Sequence, residues 1–133
     1  MKLPPELGQP FMRALMRAEA EFDRGDGRIR ALVRQGLEAG VRFVVPAGVL
    51  AQAWRDGRRQ ARLAALIGDD ATAVEALDEL GGKAAGALCG RSGSQDVVDA
   101  SVAVAARVYG APVVTTDPRN LRRLDPGLDV WPL

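Results

Sequence analysis

DVVDASVAVAARVYGAPVVTTDP, residues 96–118, decides how the chain is read. It opens with two carboxylates, Asp96 and Asp99, whose i,i+3 spacing puts them on one face of a helix. A run of small and apolar residues follows as far as Tyr109, and Gly110 reads as its stop. After Pro112 the chain resumes as a β-branched run, Val113-Val114-Thr115-Thr116, which ends on Asp117. Ser94 stands where a cap for this helix is expected. A helix with acids in its first turn, followed by a strand with an acid just past its end, is one unit of an α/β domain. In such folds ligands gather beyond the carboxyl ends of the strands.

The same alternation extends outward. Val41-Arg42-Phe43-Val44-Val45 reads as a strand, and Pro46 suits the first turn of a helix. The periodicity predicts one helix from about Ala47 to Ile67, a brief strand at Thr72-Ala73-Val74 and a helix over 76–90. Leu128-Asp129-Val130-Trp131 reads as a last strand. Residues 28–39 carry Ile29, Leu32, Val33 and Leu37 at helical spacing, closed by Gly40. Phe11, Met12, Leu15, Met16 and Phe22 also recur at helical spacing, so residues 10–16 do not read as a strand. Helices alternating with short apolar strands predict an α/β fold with a short, mostly parallel sheet flanked by helices.

Composition narrows the chemistry. The 133 residues contain no His and one cysteine, Cys89, which excludes imidazole bases, His-ligated zinc, intramolecular disulfides and thiolate clusters. With 18 Lys+Arg against 17 Asp+Glu the formal net charge is +1, which is not that of a protein coating nucleic acid through bulk charge. The lead-in Met1-Lys2-Leu3-Pro4-Pro5 lacks a signal-peptide core, and no stretch reaches the roughly 20 apolar residues of a spanning helix. A cytoplasmic protein without a membrane partner is expected.

Chemistry therefore falls to carboxylates and hydroxyls, which favour hard cations. Asp96 has a second standing, as a capping or dipole residue. Asp99 is flanked by Val97, Val98 and Ala100 and is expected to be partly buried with a partner. Asp117 also suits a turn in Thr-Thr-Asp-Pro. Carboxylates about 5 Å apart repel by roughly 3 kcal/mol at an effective dielectric near 20, so a cluster is tolerable around a divalent cation. A phosphorylated receiver-like module is a weaker alternative, because the only lysines, Lys2 and Lys83, are poorly placed. Arg55, Arg58, Arg59 and Arg62 read as a solvated face paired with Asp56 and Asp69, or as RNA phosphate contacts. Trp54 and Trp131 read as core or dimer-interface residues, and Cys89 as a buried small hydrophobe.

Taken together, Asp96 to Ala103, Pro112 to Pro118, Asn120 to Leu124 with Leu128 to Leu133, and Val44 to Arg55 resemble the PIN-domain family of VapC-type toxin ribonucleases. The resemblance covers roughly residues 24–133 and implies a single PIN-like domain over 1–133, a three-layer sandwich, with residues 1–23 atypical. It implies a magnesium- or manganese-dependent endoribonuclease, with RNA as substrate, a cognate antitoxin and a homodimer. Asp96, Asp99 and Asp117 match its metal-site acids, and Thr115 matches the hydroxyl residue that steadies the site. Two positions depart from the pattern. The acid that ends the family's first strand falls near Leu15, and its Glu on the helix after the second strand falls at Gln52. Glu19, Glu21, Asp23 and Asp26 are the nearby acids, and nothing in the spacing selects one. A missing first strand would leave a gap in the centre of the sheet. A degenerate PIN domain that binds RNA or protein without cleaving is the alternative.

Overall fold

The computed structural model describes residues 13–17 and 27–132. Its elements are β1 (Arg13–Arg17), α1 (Arg28–Glu38), β2 (Arg42–Pro46), α2 (Ala47–Ala53), α3 (Ala61–Gly68), β3 (Thr72–Glu75), α4 (Glu79–Ser92), α5 (Val97–Tyr109), β4 (Val113–Thr115), α6 (Arg119–Leu124) and β5 (Val130–Pro132). The fold is α/β. The five strands form one sheet of order β3-β2-β1-β4-β5, and every neighbouring pair is parallel.

The sheet centre is where the sequence reading fails. The helix expected over 11–22 does not form at Arg13–Arg17. These residues are the central strand, with Leu15 in register with Val44 on one side and Val113 on the other. There is accordingly no gap in the sheet. Arg-Ala-Leu-Met-Arg consists of helix formers by intrinsic preference, and tertiary context overrides that preference. Ala14, Leu15 and Met16 are completely buried, which covers both faces of the strand. A central parallel strand reads as a continuous apolar run rather than an alternating one, and here the run is only three residues long. Residues 1–12 and 18–26, including Glu19, Glu21, Asp23 and Asp26, lie outside the described residues.

Helices cover both faces. Phe43 points toward α1, where Gly36 lets the helix approach. A Cβ at Gly36 would meet the Phe43 ring at 2.8 Å, so a larger residue would push the helix off the sheet. Successive strand side chains alternate between faces, so Arg42 and its register partner Arg13 lie on the other face. There the Arg13 guanidinium sits 5.3 Å from the centre of the Tyr109 ring, at the end of α5. Phe43, Leu15, Met16, Leu32, Leu63 and Leu121 are among the largest fully buried side chains.

The single helix expected from Ala47 to Ile67 is two helices separated by residues 54–60. Gln60 explains the break. Its Nε2 donates to the Ala53 carbonyl at 2.7 Å, while its Oε1 accepts from the amides of Arg55 at 2.7 Å and Asp56 at 3.0 Å. One amide side chain thus satisfies a carbonyl at the end of α2 and two amides of the turn, which no helical partner serves. Trp54 lies over Gly57, where a Cβ would come within 2.8 Å of its ring. Trp54 is 38% exposed and so is not a core residue.

Candidate functional site

The chain order reverses between β1 and β4. From β1 it runs outward through β2 to β3, then returns across the sheet to β4 and β5. Such a switch point opens a crevice at the carboxyl ends of the two strands. The last residues there are Arg17 on β1 and Thr115 on β4, which are register partners. α5 leads directly into β4, so the helix start lies at the carboxyl end of the sheet. The topology therefore brings the start of α5 and the segment after β4 to the same end.

Each expected site residue has a defined place. Asp96, not Ser94, is the N-cap of α5, and its side chain accepts from the Asp99 amide at 2.9 Å. Ser94 sits one step back, its Oγ accepting from the Asp96 amide at 3.2 Å. Asp99 is 7% exposed. It has the partner its burial demands, since Asn120 Nδ2 donates to Asp99 Oδ2 at 3.0 Å. Thr115 is 1% exposed, and its Oγ1 accepts from the Asp117 amide at 3.1 Å, which folds the chain tightly after β4. Asp117 is exposed and pairs with Arg119 at 3.2 Å. Both side chains of that pair are open to solvent, where an ion pair contributes about 0–1 kcal/mol and gives way readily to a competing ligand.

The structure thus links Asp99 through Asn120 to the segment that follows Asp117, whereas Asp96 is occupied with capping. Gln52 is exposed on α2. Leu15, near which the resemblance places a first acid, is buried in mid-strand. The end of β1 is Arg17.

Asn120 is the residue that site reasoning missed. Its amide orientation follows from chemistry: a carboxylate only accepts, so the NH2 group must face Asp99 and the carbonyl must face the Ser94 hydroxyl. Ser94 Oγ donates to Asn120 Oδ1 at 3.4 Å, a long contact. The signal available in the sequence was a short polar residue three positions after Asp117. It becomes informative only once α5 and α6 are seen to touch.

The donor set consists of carboxylate and hydroxyl oxygens, the chemistry a hard divalent cation prefers. Among the described residues, however, no three acids, cysteines or histidines come close enough together to hold a metal ion.

Away from this end, Arg107 and Asp125 form a two-pronged pair at 2.5 and 2.7 Å. The hydrogen bond from Arg107 holds the Asp125 carboxyl below its ordinary value. Tyr109 donates to Glu75 at 2.6 Å, and that bond raises the phenol above its usual value. Arg59 pairs with Asp56 at 3.8 Å, in keeping with a solvated basic face. Cys89 is half-buried. Among the described residues, no helix is long and apolar enough to cross a membrane. No protein-family model matches the chain, and no curated protein matches it.

Proposed function

We propose that the chain is a PIN-like endoribonuclease that uses magnesium or manganese, the toxin half of a toxin–antitoxin pair. One observation carries the reading: a carboxylate buried to 7% exposure, Asp99, is held by Asn120 at the end of the sheet where the strand order reverses. Burying a carboxylate is costly without specific hydrogen bonds or a cation, and switch points are where open α/β sheets bind ligands. RNA is the proposed substrate. Hydrolysis of its phosphodiester adds water at phosphorus and breaks one P–O ester bond. Asp99 and Asp117 are the residues that would hold such a cation, which would supply charge stabilisation at the phosphate and a more acidic water. Asp99 contributes a carboxylate fixed in direction, and Arg119 a guanidinium beside Asp117 that can turn to a phosphate. A cytoplasmic location, a cognate antitoxin and a homodimer belong to the same proposal.

A second reading is favoured by a specific feature. The end of β1 carries Arg17 instead of an acid, and α2 carries Gln52. Both changes remove negative charge where a metal-dependent PIN nuclease needs it, which supports a domain that binds RNA or protein without cleaving. RNA incubated with the protein in magnesium, and again after EDTA, separates the two. Metal-dependent cleavage supports the nuclease, and intact RNA under both conditions supports the binding module.

A further inference from the structure

Two guanidiniums stand together at the other end of the sheet. Arg13 opens β1 and Arg42 opens β2, whereas Thr115 closes β4. The two arginines are register partners on neighbouring parallel strands, so their side chains leave the sheet on one face, from backbones about 4.8 Å apart. Both are exposed, and among the described residues neither has an ion-pair partner. Like charges facing each other across neighbouring strands are unfavourable. With Asp70 and Tyr109 they line one cavity of about 210 Å3. The geometry points to a site in this cavity for a terminal phosphate group, held between Arg13 and Arg42. The site uses none of the candidate acids at the carboxyl end of the sheet, and it does not rest on the nuclease reading.

One of the two arginines is already held in place. The Arg13 guanidinium lies 5.3 Å from the centre of the Tyr109 ring, a contact that suits a planar cation on an aromatic face. The ring is fixed in turn, because Tyr109 donates its hydroxyl to Glu75 at 2.6 Å. Arg13 therefore loses less side-chain freedom on meeting a ligand than an unsupported arginine would. Charge and oxygen count select the ligand. A terminal phosphate carries about −1.5 to −2 at neutral pH and three acceptor oxygens. It can balance two positive charges and, sharing one oxygen, take a two-pronged contact from each guanidinium. An internal phosphodiester or a carboxylate carries a single negative charge and leaves one arginine unmatched. Asp70 is the opposing group. It is exposed, lines the same cavity and forms no ion pair with either arginine.

The test is titration calorimetry on the full chain at about 50 mM ionic strength, without added divalent metal, where screening is modest. The probes are adenosine 5′-monophosphate against adenosine, and a short single-stranded RNA with a 5′-phosphate against the same RNA with a 5′-hydroxyl. The phosphate-bearing member of a pair is expected to bind more tightly than its counterpart. Arg13→Gln and Arg42→Gln are each expected to weaken that binding about tenfold or more. Asp70→Asn is expected to strengthen it about two- to fivefold, because it removes the repelling charge. Circular dichroism confirms that each variant is folded, and Arg42→Gln and Asp70→Asn carry the test should Arg13→Gln fail to fold. Tighter binding of the phosphorylated RNA than of the mononucleotide assigns the phosphate to an RNA end, and equal or weaker binding assigns it to a free nucleotide. No preference for phosphate in either pair, or an unchanged affinity in the folded arginine variants, overturns the inference.

Discussion

Arg17, the last residue of β1, is the register partner of Thr115, the last residue of β4. The two strands flank the point where the chain reverses direction across the sheet. The pairing fixes where an acid at the end of the first strand would have to stand, and it puts a basic residue there. Substituting Arg17→Asp exchanges a basic residue for an acidic one at the last position of β1. Manganese affinity is expected to rise by about tenfold, because the number of ligating charges governs divalent affinity. Calorimetry on Arg17→Asp and the unmodified protein checks this, and an unchanged affinity would place the candidate cation away from the end of β1.

Leu15 is the counterpart in the core. It is fully buried between Val44 and Val113, so Leu15→Ala should destabilise the domain by about 2–5 kcal/mol. Leu15→Asp, which installs an acid at the register position suggested by the family pattern, should prevent folding by burying an unpaired charge. Urea denaturation followed by circular dichroism measures both. A folded Leu15→Asp protein of unchanged stability would refute the central placement of β1.

Gln60 should act as a structural clasp. Gln60→Ala removes three hydrogen bonds to the backbone at the end of α2 and in the following turn. A loss of about 1–3 kcal/mol is expected, with faster amide exchange at Arg55 and Asp56. Hydrogen exchange resolved by residue distinguishes this from a loss spread over the whole fold.

The Arg107–Asp125 pair gives a pH signature. Asp125 titrates below its ordinary value of 3.8 because Arg107 hydrogen-bonds its charged form. A depressed carboxyl stabilises the fold above the unfolded-state value and loses that contribution as pH falls through the folded-state value. Asp125→Asn should therefore be less stable than the unmodified protein at neutral pH, and the difference should shrink as pH drops below about 4. Thermal melts across pH 2–7 read it out, and a difference independent of pH would contradict the assignment.

The sequence made most of the periphery legible. β2, β3 and β4 were readable from β-branched runs, and α1 and α5 from helical spacing that ends at Gly40 and Gly110. The centre was not, because Arg13–Arg17 has the residues of a helix and becomes a strand only through its two neighbours, β2 and β4. The periodicity predicts one long helix from Ala47, because its interruption depends on Gln60 reaching back to Ala53, a contact made through a side chain. At the site, the burial of Asp99 was legible from its apolar flanks. Asp96 caps α5, a role its residue type suits, while Ser94 is as good a cap by residue type and sits two positions earlier. Asn120 was not legible as a site residue, because its partner lies on another helix.

The central claim is that Asp99 supports metal-dependent cleavage of RNA. The most direct measurement follows cleavage of single-stranded RNA by the unmodified protein and by Asp99→Asn, in magnesium and in EDTA. The account predicts cleavage by the unmodified protein in magnesium, none in EDTA, and none by a folded Asp99→Asn protein in either. Cleavage that persists in EDTA, or that survives the substitution, would contradict it.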